Sequence, residues 1–207
     1  MEKLEQLFTK VTVLETKVLE QEATIKSMQG EIKHLQEMAN SQDQAKRGDT
    51  LRLFNFPGSN DEVGLPAKVY ETILKPILSA AKISGDLQSL PHLSTICTDI
   101  FRVGKFSPGQ DKPPPPVLIK FSSLPARLGI LKHKKKNMPM APEGAKRYII
   151  VEDLTKPAYR KLQEFRLDER ISKAWTINGE IWAVPVGDNM KPKKVRSVFD
   201  EVDVFFG

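Results

Sequence analysis

Residues 4 to 39 carry a seven-residue apolar repeat, and no other feature limits so tightly what this chain can fold into. With Leu4 as position a, the a positions are Leu4, Val11, Val18, Ile25, Ile32 and Ala39, and the d positions are Leu7, Leu14, Gln21, Met28 and Leu35. Ten of these eleven are apolar, so the stripe is narrow and runs through five heptads. Such a stripe is the seam of a coiled coil; a helix packed on its own domain presents a broader face. A rod of this length extends about 50 Å. Gly30 falls at f, outside the seam, where it costs only helix propensity.

The flanking charges set the direction. Lys10 and Lys17 occupy g, while Glu15 and Glu22 occupy e of the following heptad, so both g-to-e pairs attract in a parallel, in-register homo-oligomer. β-branched residues at a with Leu at d lean towards a dimer, with a trimer as the alternative; Gln21 at d weakens the seam and is a candidate for fixing register. The expected self-association residues are Leu4, Leu7, Val11, Leu14, Val18, Ile25, Met28, Ile32 and Leu35.

Behind the rod (residues 1–40), the polar, aperiodic stretch 41–49 with Gly48 reads as a linker. Charge divides there: residues 1–47 hold seven basic and eight acidic side chains, yet the chain as a whole is +6. The excess concentrates in residues 101–147, with eleven Lys and Arg against two Asp and Glu. A dense positive field on a small β/α unit is the footprint of a nucleic-acid binder, although a lysine-rich solvated face has the same composition.

The body reads as β-α-β-β-α-β over residues 50–152, an α+β, ferredoxin-like order. Its strands are Leu51–Phe56, Ile100–Val103, Val117–Phe121 and Tyr148–Val151. The first helix buries Val69, Ile73, Ile77 and Ala81 and is broken or kinked by Pro76. The second, capped by Ser122 or Ser123, is expected to bury Leu124, Leu128 and Leu131. Pro113 to Pro116 form a stiff loop or a polyproline ligand.

A smaller unit, residues 153–188, combines a helix from about Lys156 to Ile171 with a hairpin. Asp153 or Thr155 caps the helix, and Ala158, Leu162 and Phe165 point inward. Asn178-Gly179 is a strong two-residue turn signal, and that turn sets Trp175 opposite Trp182. The pair either stacks a base or staples the hairpin onto the helix. Residues 189–207, bipolar in charge, are expected to be a loose tail.

The expected nucleic-acid contacts are Arg52, Arg102, Lys105, Lys120, Arg127, Lys132, Lys134, Lys135, Lys136, Lys146 and Arg147. Arg52, Arg102 and Lys120 are placed on the open sheet face, gripping phosphates with little sequence preference. Cations at the end of the second helix also complement its dipole, and Lys132–Lys136 is in addition a candidate nuclear import signal.

Several classes find no support. There is no glycine-rich phosphate loop, no nucleophile with a base, and no Cys/His spacing for a metal; His34, His92 and His133 are scattered, as are Asp99, Asp153 and Asp168. A binding protein without cofactor is expected rather than an enzyme. The single Cys97 fits a reducing compartment, and Met1-Glu2-Lys3-Leu4-Glu5 is too charged for a signal peptide. No apolar run reaches the ~20 residues that span a bilayer. These features lead to the expectation of a cytoplasmic protein whose partners are single-stranded RNA or DNA and further copies of itself, without a membrane.

Leu51-Arg52-Leu53-Phe54-Asn55-Phe56 resembles the first-strand hexapeptide of the RNA recognition motif, with Arg52 where that family stacks a base and with Pro116 and Leu118 at the third-strand stacking positions. The whole layout resembles the first-open-reading-frame proteins of LINE-type non-LTR retrotransposons. That resemblance is carried by Phe101-Arg102-Val103-Gly104-Lys105, Pro116-Val117-Leu118-Ile119-Lys120-Phe121 and Glu152-Asp153-Leu154-Thr155. Baculoviral few-polyhedra proteins look similar through the same Arg-bearing strand, Pro-rich loop and late Trp hairpin. The LINE resemblance implies a homo-oligomeric, typically trimeric, single-strand RNA binder with nucleic-acid chaperone activity in a retrotransposon ribonucleoprotein. The alternative is a coiled-coil interaction scaffold whose lysines only solubilise it.

Overall fold

Among the described residues, the seam side chains are not buried within one chain. In the computed structural model, which describes residues 2–59, 62–105, 113–187 and 191–206, the first helix α1 (Glu2–Lys46) buries none of its side chains fully. The nine apolar seam residues from Leu4 to Leu35 are 48–71% exposed. At ~1.5 Å per residue α1 is about 65–70 Å long. It continues through the stretch expected to be a linker. Only Arg47 to Asp49 form a turn, closed by Gly48 N–H donating to the Ala45 carbonyl at 3.1 Å, and β1 (Thr50–Phe54) starts directly afterwards.

What turns the expected linker into helix is contact with the body. Along the C-terminal half of α1, Glu37, Asn40, Gln44 and Arg47 are the residues that lose exposure, spaced three or four apart as one face of a helix requires. In the heptad they occupy f and b, opposite the a/d seam. Asn40 accepts from Thr155 Oγ1 at 2.6 Å, and Gln44 Nε2 donates to the Asp153 carbonyl at 3.0 Å. The body therefore sits on the back of the rod and leaves its seam free.

The protein is α+β. After β1 come α2 (Leu65–Val69), a π turn (Tyr70–Leu74), α3 (Lys75–Ile83), the short α4 (Leu93–Ile96), β2 (Cys97–Arg102), β3 (Val117–Phe121), α5 (Leu124–Asn137) and β4 (Ile149–Glu152). The four strands form one antiparallel sheet in the order β2-β3-β1-β4. Pro76 interrupts the first helix of the body, which continues through the π turn. The Lys75 N–H bonds to the Tyr70 carbonyl, shifting the ladder by one residue, so the missing proline N–H falls in the first turn of α3. Leu51, Leu53, Val69, Ile73, Ile77, Val117, Ile119 and Ile130 make the core, each worth about 1.5–3 kcal/mol on burial.

α5 is rotated from its expected setting. Its buried side is Ala126, Arg127, Gly129 and Ile130, whereas Leu124 and Leu128 remain exposed. On that side Gly129 packs against α3, where a Cβ would stand 3.4 Å from that of Ala81. Ser123 caps the helix, accepting from the Ala126 N–H.

The second unit consists of α6 (Lys156–Leu167), β5 (Ile171–Ile177), β6 (Glu180–Pro185) and β7 (Lys193–Lys194), with strand order β5-β6-β7. Thr155 caps α6, which stops at Leu167 where the Asp168-Glu169-Arg170 turn begins, so Ile171 opens β5 and is not helical. Asn178 and Gly179 both take positive φ (53° and 78°), the type I′ hairpin conformation, and Trp175 stands opposite Trp182 as expected. Residues 191–206 of the tail are not loose. β7 joins the sheet, Phe205 packs edge-on against Phe165 at 5.0 Å, and Arg170 lies 4.4 Å over the Phe206 ring. Among the described residues no helix is long and apolar enough to cross a membrane.

Candidate nucleic-acid interface

Strand parity decides which cations face outward. On β3 Val117, Ile119 and Phe121 are buried, and Leu118 and Lys120 point to the open face. In register, Phe101 and Leu118 are neighbours, Arg52 follows Leu118, and Val151 follows Arg52. Arg102 pairs with Val117, which places it on the core side and not on the open face.

Arg102 is therefore a structural residue. Its side chain is 10% exposed, donates to Glu62 at 2.8 Å, and bonds the carbonyls of Phe56, Pro57 and Pro115. These bonds tie the end of β1 to the loop before β3. Arg127 is likewise unavailable: it is buried and donates to the buried Glu152 at 2.9 Å. Arg52 does lie on the open face, but both its Nε and Nη2 donate to Asp153 Oδ1, while Arg47 donates to Oδ2 at 3.0 Å. Lys120 is half-exposed, 3.9 Å from Asp49. Of the three sheet cations expected to grip phosphate, one is internal, one is engaged by a buried carboxylate and one remains accessible.

The open face holds two aromatic rings instead. Phe101 is 43% exposed on edge strand β2, and Phe54 is half-buried on β1 beside Ile149. Placing Arg102 on the open face turned Phe101 inward. Setting Ile100 inward would have shown that Phe101 and Arg102 point to opposite faces.

The remaining cations divide into two groups. Lys105, Lys146 and Arg147 are exposed at the end of the sheet where β2 finishes and β4 begins, Arg147 being anchored through its carbonyl to Asn55. Lys132, Lys134, Lys135 and Lys136 lie on α5. Lys132 and His133 share Asp86, whose carboxyl the Lys132 and His133 hydrogen bonds hold below its ordinary value. Lys134 donates to the Ile150 carbonyl at 2.6 Å, and burial pushes its ammonium pKa down from 10.5.

α5 also forms one wall of a cleft of about 570 Å³ between the two units. Leu128, Leu131, Lys132 and Lys134 line that wall, Val151 and Glu152 the floor, and Arg166 with Trp175 to Asn178 the other wall. Of the three leucines expected in the core, Leu128 and Leu131 line this cleft, and Leu131 also packs against the core. Trp175 is free to do so because the hairpin packs on α6 through Ala174, Ile181 and Ala183, so the tryptophan pair faces away from that helix. The pair does not staple the hairpin to α6.

The cleft brings cations, an aromatic ring and apolar walls within one concave surface, the combination that takes a base and its phosphate together. Lys132 and Lys134 were legible as part of a basic run; Arg166 carried no signal, and Trp175 signalled itself only as one of a facing pair. Compared with known proteins, the chain matches no family model and no curated relative.

Proposed function

We propose that the chain is a self-associating, single-strand RNA-binding protein of low sequence specificity, acting as a nucleic-acid chaperone in a particle of the kind LINE-type elements encode. The observation that carries this reading is the cleft in which Trp175 faces α5 with Lys132, Lys134 and Arg166 around it. A base stacked on Trp175 puts its phosphates within reach of these cations, and an aromatic face accepts any base. Lys135 and Lys136, exposed at the same helix end, extend the path, and Lys105, Lys146 and Arg147 offer a second contact at the sheet end. The strand order β2-β3-β1-β4 supports a recognition-motif-like body, and the exposed seam supports a parallel coiled coil.

Binding of a fluorescent single-stranded oligouridylate to the full chain tests the reading. Trp175→Leu is expected to weaken it by about 1–3 kcal/mol. The K135A/K136A pair is expected to flatten the log–log salt slope by about 1.4, at ~0.7 per phosphate contact. If the wild-type chain fails to bind at low salt, the lysines only solubilise and the rod is the working part of a scaffold.

A further inference from the structure

The hairpin turn that carries the Trp175 wall of the cleft is held from two sides. From the sheet, the buried Glu152 accepts the Gly179 N–H on Oε2 at 3.3 Å, while its Oε1 accepts from Arg127 at 2.9 Å. From the rod, Gln44 lies directly against Gly179: a Cβ at that position would fall 2.7 Å from the Gln44 Cγ and Nε2. Gln44 is itself fixed, its Nε2 donating to the Asp153 carbonyl at 3.0 Å and its Oε1 accepting from the Thr155 N–H at 2.9 Å. The last turns of the rod thus reach one residue beyond Asn178, which lines the cleft.

We propose that the end of the rod is a working part of the binding site: Gln44 and Glu152 are positioning residues that seat the Asn178-Gly179 turn and thereby hold Trp175 at its distance from α5. This rests on the cleft being the RNA site. Its consequence is a direct mechanical link, because the helix that self-associates through its a/d seam carries, on the opposite side, the seat of the cleft wall. Glycine at 179 meets two demands at once, positive φ and close approach to Gln44.

The full-length chain with Q44A, with G179A and with both substitutions tests the seat. Alanine at 44 keeps helix propensity, so Q44A is expected to retain the fold, which an unchanged unfolding midpoint checks, whatever strain G179A introduces. Two readouts apply: hydrogen exchange of residues 175–182 in the free protein, and affinity for a single-stranded oligouridylate. Q44A is expected to raise exchange in 175–182 and to weaken oligouridylate about tenfold without changing the oligomer's mass. In the double variant the collision is gone, so G179A is expected to cost less there than in the wild-type rod. Unchanged exchange in Q44A, or strictly additive effects of the two substitutions, overturns the proposal. A wild-type chain that binds no oligouridylate sinks the cleft reading, and exchange alone then decides whether the rod seats the turn.

Discussion

At the scale of single residues, the arginines divide by the neighbours their strand parity gives them. Arg102, facing the core, satisfies three carbonyls and Glu62, so Arg102→Ala leaves a buried carboxylate unpaired. It is expected to cost about 3–5 kcal/mol in urea unfolding, with no change in the salt slope of RNA binding. Lys134 behaves differently, because burial holds its ammonium pKa below 10.5. The free folded protein thus binds fewer protons than the unfolded chain over the window from that lowered pKa up to 10.5. A bound phosphate favours the charged form, so binding takes up a proton there. Affinity for a deoxyoligonucleotide, which survives alkali, is expected to fall as pH rises through the lowered pKa of Lys134. Replacing Lys134 with Arg, which stays charged, is expected to remove that fall.

At the scale of elements, what could be read depended on whether a pattern referred to itself or to a neighbour. The heptad, the Asn178-Gly179 turn and the Trp175–Trp182 register are local, and each is where the repeat or the turn type puts it. The buried faces of α2 and α3 also follow their own spacing. α5 does not: Leu124, Leu128 and Leu131 form a credible apolar face, but the helix buries Ala126, Gly129 and Ile130 instead, and Leu128 and Leu131 line the cleft. Residues 41–46 lack any apolar period and still stay helical, because Asn40, Gln44 and Arg47 find polar partners on Asp153 and Thr155. A linker and a docked polar helix look alike when the partner lies a hundred residues away. The same holds for the acidic tail, whose Asp200 reaches Lys33 on the rod and whose Asp203 reaches Arg170. The rod's own prediction belongs here: V18D/I25D places charge on two a positions that are about half-exposed in one chain. It is expected to yield monomers by sedimentation while leaving the unfolding of the body unchanged.

At the scale of the whole molecule, the arrangement joins two surfaces back to back. The seam of α1 faces away from the body, so copies can associate along the rod without disturbing the sheet, the cleft or the docked tail. On the proposed reading, each assembled rod displays more than one cleft, and an RNA long enough to reach two of them gains from the high local concentration of the second. Stability and the proposed binding draw on different cations: Arg102, Arg127 and Arg52 hold the fold, and the exposed Lys135 and Lys136 of α5 are left to the proposed ligand. The central claim is that one chain both self-associates and captures single-stranded RNA. Multi-angle light scattering of the full chain, with and without a single-stranded oligouridylate, tests both halves in one measurement. A free mass of two or three times 23.3 kDa that increases by the mass of bound RNA is the expected result. A 23.3 kDa species whose mass is unchanged by RNA contradicts it.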